Sequence, residues 1–156
     1  MDQAAHRERQ WAPWWVHLLM GAILLGGFAA VIDEDAHNTW PIIASLALLM
    51  ALIYALLIPM TVEVSSEGMD VRFGYLGWPR WHFGLGDIEA AQLVEFSPIM
   101  DYGGWGIRMR HGKMLLNQRG HAGVQFGHRN RTWVIGSDDP ATLLEVLRRM
   151  GVDTAQ

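Results

Sequence analysis

The chain contains no cysteine, which excludes disulfides, thiolate metal sites and cysteine nucleophiles. Charge is sparse too, at 18% of 156 residues, and it is missing from particular places. No Asp, Glu, Lys or Arg occurs in 11–32 or in 41–60, and no Asp or Glu lies between Tyr102 and Ser137. A net charge of −4 argues against a nucleic-acid protein at the level of the whole chain.

What fills the uncharged stretches is apolar. The 20 residues of 41–60 read PIIASLALLMALIYALLIPM and form, as a helix, a rod roughly 30 Å long, the thickness of a bilayer's hydrocarbon core. The run of 22 residues before it, 11–32, exceeds a secretory apolar core of about 7–15 residues and ends in Asp33-Glu34-Asp35. The two predict a transmembrane helical hairpin over 11–60, preceded by a polar surface tail, 1–10. Trp11, Trp14, Trp15 and Trp40 fall at headgroup depth. Arg7 and Arg9 before the first span, and Arg72 and Arg80 after the second, predict cytoplasmic termini with the acidic turn outside. Small residues four apart predict the packing faces of the hairpin: Ala22, Gly26 and Ala30 on one helix, Ala47, Ala51 and Ala55 on the other. The same face could also dock a second copy or another membrane protein. His17 is read as reaching toward the headgroups beside Trp14, away from that stripe.

From Thr61 the period becomes that of strands. A hairpin over 61–73 turns at Glu67-Gly68. Further strands are predicted over 80–83, 88–96, 105–110, 113–116, 123–127 and 132–135, with Gly or Asn between most of them. The end reads as a helix capped by Asp139, with Pro140 first, Leu143, Val146, Leu147 and Met150 on one stripe, and Gly151 as its stop. The class is therefore α+β: a domain over 61–152 built as an open β-barrel or bent sandwich, plugged by a C-terminal α-helix.

Three segments carry a resemblance: Asp101-Tyr-Gly-Gly-Trp-Gly-Ile-Arg108, Arg119-Gly120 to Gly123-Val124, and Trp133-Val-Ile-Gly-Ser-Asp-Asp-Pro140. With the strand pattern they make 61–152 similar to the bacterial pleckstrin-homology-like domains. The whole chain resembles small bacterial membrane proteins that carry such a domain behind a helical hairpin. The resemblance implies a scaffold for lipid or protein binding and a multi-pass place in the bacterial inner membrane.

Arg108, Arg110, Lys113, Arg119, Arg129 and Arg131 supply six positive charges in the stretch without acids, joined by His111, His121 and His128. They read as a basic surface facing anionic headgroups, or as solvated strand residues balanced by Asp87, Glu89 and Glu95. Trp78 and Trp81 flank Pro79-Arg80; one is assigned to the core and the other to membrane or partner contact. Gly103, Gly104 and Gly106 lack the strand-before, helix-after context of a nucleotide loop and read as a tight turn around Trp105. The histidines, and Asp33, Glu34, Asp35 and His37, lack ligand spacing, so no metal is expected. Neither is a cofactor, and no catalytic arrangement stands out.

The expected function is non-enzymatic: a membrane-anchored binding and scaffolding protein that docks a protein partner at the cytoplasmic face of the inner membrane. The bilayer and a membrane or cytoplasmic protein are the expected partners. The alternatives are anionic-lipid sensing through 108–131 and an accessory subunit of a larger membrane complex.

Overall fold

Strand periodicity sets the frame. Met60, Val62 and Val64 alternate with Thr61, Glu63 and Ser65 along β2 (Met60–Ser65), and the apolar set is fully buried. The computed structural model describes residues 5–31 and 40–155. The turn after β2 leads into β3 (Gly68–Phe73), where Met69, Val71 and Phe73 face the same interior, and then β4 (Arg80–Phe83).

The fourth strand of this sheet comes from the N-terminus. Residues His6–Gln10 form β1, antiparallel to β2, with Gln10 opposite Met60 and His6 opposite Val64. The segment expected as a polar tail is thus an edge strand. Its inner face carries Glu8 and Gln10, with no apolar residue to announce a strand. Sheet order is β1-β2-β3-β4, and the link from β1 to β2 is a helical hairpin, α1 (Trp14–Val31) and α2 (Trp40–Leu57).

That hairpin corrects the expectation of two membrane spans. Among the described residues, no helix is long and apolar enough to cross a membrane. The sheet-side end of each apolar run goes to another use: Trp11 to Pro13 are extended chain after β1, and Ile58 and Pro59 lead directly into β2. Each helix keeps 18 residues, about 27 Å of rise against about 30 Å of hydrocarbon. The multi-pass placement and its orientation lose their basis with the spans. Arg7 and Arg9, which set the orientation, are exposed residues of β1, and the acidic turn at Asp33, Glu34, Asp35 and His37 lies outside the described residues.

The second sheet holds β5 (Glu89–Glu95), β6 (Gly106–Arg110), β7 (Lys113–Asn117), β8 (Ala122–His128) and β9 (Arg131–Gly136), in the order β5-β8-β9-β7-β6. Only the β7–β9 pair in it is parallel. A short helix, α3 (Pro98–Tyr102), precedes β6, and α4 (Pro140–Arg149) ends the fold. The α+β character stands, but the expected barrel is corrected to two open sheets, for no ladder joins them among the described residues. The reason is local: β4 has four residues and runs into a helical turn at Leu85–Asp87, which delivers the chain to the second sheet.

One core lies between the sheets. Val62, Val71 and Phe83 from the first meet Leu116, Phe126, Trp133 and Ile135 from the second, with Leu143 and Leu147 of α4. Asp139 caps α4 by accepting from the Thr142 amide at 3.1 Å. Beyond α4 the chain returns to β5, where the Ala91 amide donates to the Asp153 carbonyl at 2.9 Å.

Candidate functional site

The sheets hold the helical hairpin from both sides of its base. On the β1 side, the Gln10 side-chain amide donates to the Gly136 carbonyl at 2.7 Å and to Glu8 at 2.8 Å. The Glu8 carboxylate also accepts from the Ser137 hydroxyl at 2.6 Å and the Asp138 amide at 2.5 Å. Thus β1 stitches the first sheet to the corner between β9 and α4. On the other side, the loop after β3 receives the end of α2: the Tyr75 amide donates to the Ala55 carbonyl at 2.8 Å and the Gly74 amide to the Pro59 carbonyl at 2.7 Å. Gly74 has φ of 69°, and a Cβ there would fall on the carbonyls of Ala55 and Leu56. Only glycine permits that approach.

An aromatic collar surrounds this base. Trp11 and Tyr75 meet edge to face with centroids 6.2 Å apart, and the Arg9 guanidinium lies 5.0 Å from the Trp11 ring and 5.5 Å from Tyr75, within cation–π range. Trp15 packs on Trp105 at 5.6 Å. Trp78 is exposed at 66%, whereas Trp81 sits against Phe73 and Trp133 at 5.9 and 6.5 Å. Trp81 is therefore the core residue of the pair.

Beyond the collar the helices carry no Asp, Glu, Lys or Arg, and large apolar side chains stand exposed on both, Leu25 at 71% and Leu48 at 72% among them. The face between the helices differs from the small-residue stripe. Gly27 is the point of close approach, where a Cβ would lie 3.0 Å from Ile43; at Gly26 a Cβ would meet nothing within 4 Å. Ala22 and Ala51 are exposed as well, while Ala47 and Ala55 are half-buried; the side chain of Ala30 lies outside the described residues. His17 points into the hairpin, its Nδ1 3.2 Å from the Tyr54 hydroxyl. Burial, with Tyr75 adding, holds the Tyr54 pKa above its ordinary value.

The basic stretch does not form one surface. Arg119 makes a two-pronged ion pair with Asp138, at 2.9 and 2.6 Å, at the hairpin end of the second sheet. Asp87, Glu89 and Glu95 make no ion pair with this stretch among the described residues. Pairing of Arg110 with Lys113, Lys113 with Thr132, and Arg131 with His128 gathers Arg110, Lys113, Arg129 and Arg131 at the opposite end. Five residues of β6, roughly 13 Å, separate that end from the hairpin. Arg110 donates to the Met100 carbonyl at 2.7 Å and Lys113 to Gln125 at 3.2 Å. Arg108 stays near the hairpin base and lines a cavity there.

His128 is buried, with Nδ1 3.2 Å from the Asp87 carbonyl oxygen. His111 lies in the β6–β7 turn and His121 precedes β8 at the other end of the sheet, so the three histidines do not converge. No group of three potential metal ligands occurs among the described residues.

The sequence reading missed β1 and the two-sided seating of the hairpin. A faint signal for β1 exists in the alternation of His6, Glu8 and Gln10 with Arg7 and Arg9, which the structure sorts into inner and exposed positions. No family model matches the chain, and no curated protein matches it. The likeness to pleckstrin-homology-like domains accordingly rests on its sequence segments alone.

Proposed function

We propose that the chain is a non-enzymatic binding and scaffolding protein that docks a protein partner on its helical hairpin. The observation that supports this reading is a pair of helices free of Asp, Glu, Lys and Arg, with large apolar side chains exposed on both, fastened at the base to a well-packed pair of sheets. Extended apolar surface rimmed by polar residues marks an interaction site, because leaving it in water is unfavourable. A helix pair with no charge to satisfy fits a partner of the same chemistry, an apolar helical face of another protein. The exposed positions of Ala22, Gly26 and Ala51 suit close approach by such helices. The sheets fix where the surface points, so the protein acts by position.

Photo-crosslinking residues placed at Leu18, Leu25 and Leu48 of the full chain in cells test this. The expected result is saturable crosslinking to one protein, lost in the Leu25→Glu/Leu48→Glu double variant. Crosslinks confined to the sheets, or to lipid alone, would overturn the proposal.

A second reading draws on the far end of the second sheet, where Arg129 and Arg131 are exposed and make no ion pair among the described residues. That end suits an anionic lipid surface, with about 1 kcal/mol for each basic residue near it. Binding to anionic vesicles that exceeds binding to neutral ones, and falls with salt and with Arg129→Glu/Arg131→Glu, supports this role; equal binding to both counts against it.

A further inference from the structure

The base of the hairpin encloses a cavity of ≈ 430 Å³ between the helices and the start of β6. This is within the range of about 300–1,000 Å³ typical of small-molecule sites. Its wall is apolar, with Val16, Met20, Ile53, Ile58 and Phe73 facing the space from α1, α2 and β3 and the short links between them. Opposite them stand two polar side chains, Arg108 and Gln118.

Both lack partners. Gln118 is 7% exposed, and its side-chain amide makes no hydrogen bond to another described residue. Arg108 makes no ion pair or hydrogen bond among the described residues either. Its guanidinium lies against Gly104, where a Cβ would be 3.4 Å from Nη2. The nearby hydroxyl of Tyr54 is already engaged with His17. The polar side of the cavity therefore offers donors, one of them cationic, and no carboxylate lines it.

We infer that this cavity binds a single-chain anionic amphiphile, its alkyl chain between α1 and α2 and its head on Arg108 and Gln118. A fork of guanidinium donors matches the two oxygens of a carboxylate or the oxygens of a phosphate monoester. The Gln118 amide supplies a further donor. An uncharged chain would fill the same apolar wall but leave both polar groups unpaired. The site is distinct from the outward face of the hairpin and does not depend on what covers that face.

The test uses the full chain with photoreactive twelve-carbon probes carrying a carboxylate, a phosphate monoester or an alcohol. Labelled peptides are mapped by mass spectrometry. Both anionic probes are expected to label residues near Ile53, Ile58 and Ile107, saturably and in competition with unlabelled laurate. Whichever is labelled at the lower concentration identifies the head group. Arg108→Gln is expected to weaken anionic labelling about ten- to hundredfold, the range for a lost charge-assisted hydrogen bond, with alcohol labelling unchanged. Arg108 is exposed, so this variant keeps the fold; Gln118→Leu gives an independent reduction. Labelling spread over the outer faces of the helices, labelling not displaced by laurate, or labelling equal in the wild type and Arg108→Gln would each overturn the assignment.

Discussion

Glu8 shows how much one side chain of a strand without apolar residues can hold. Its carboxylate accepts from Gln10, Ser137 and the Asp138 amide, across more than 120 residues of sequence in the last two cases. Glu8→Ala leaves those donors unmatched and is expected to destabilise the protein by about 1–3 kcal/mol in denaturant unfolding. Gly136 shares the same corner. A Cβ there would fall on the Asn117 side-chain oxygen, so Gly136→Ala is expected to lose about 1–3 kcal/mol through overpacking. The two tryptophans beside Pro79 give a contrast within one segment. Trp81→Ala removes an aromatic from the core and should cost about 3–5 kcal/mol, whereas Trp78→Ala should fall within about 0.5 kcal/mol of the wild type. Equal effects would contradict their placement.

Among the elements, α4 carries a pH dependence with a definite sign. Hydrogen bonds from Thr142 hold the Asp139 pKa below its ordinary 3.8, and Arg148 and then Arg149 hold Glu145 below 4.5. A carboxylate whose folded pKa is depressed contributes stability above its unfolded pKa and loses it as pH falls through the folded value. The stability of α4 should therefore be level above about pH 4.5 and decline below it, with Asp139→Asn and Glu145→Gln flattening the decline in acid-titration circular dichroism. An unchanged acid limb in both variants would refute that account.

This helix was also the plainest element in the sequence. Its cap, its Pro140 start and its apolar stripe all act within one segment, and the helix runs over Pro140–Arg149 as that pattern predicts. The strand at 80–83 matches β4, and those of the second sheet match within one or two residues, because period-two burial and glycine turns are local signals. What was not legible depends on distance. β1 pairs with a strand some fifty residues away and buries polar groups, and α3 signals itself only through Ser97, Pro98 and Asp101 in a five-residue turn. The small-residue stripe is divided, with Ala22, Gly26 and Ala51 exposed and Ala47 and Ala55 half-buried, because spacing alone does not say which helical face turns inward. The cavity was invisible for a similar reason, since Arg108, Gln118 and the apolar wall come from separate parts of the chain.

For the molecule as a whole, the central consequence of the fold is that a helical hairpin takes the place of the loop between two paired strands. Gln10 and Met60 face each other at its base, so its two ends are held a strand spacing apart, about 4.8 Å, and its direction follows the sheets. The apolar length of the hairpin is then a surface presented by a rigid mount, and the basic end of the second sheet is turned away from it. That arrangement accounts for why Leu25 and Leu48 stand exposed while the core beneath is closed. The most direct test is native mass spectrometry of the full chain purified in mild detergent, compared with its Leu25→Glu/Leu48→Glu variant. The account predicts that the wild type carries the same protein that crosslinks to the hairpin, in fixed stoichiometry, and that the variant is released from it with its near-ultraviolet circular dichroism unchanged. A wild type that is a lone protomer, or a variant that keeps the partner, would contradict it.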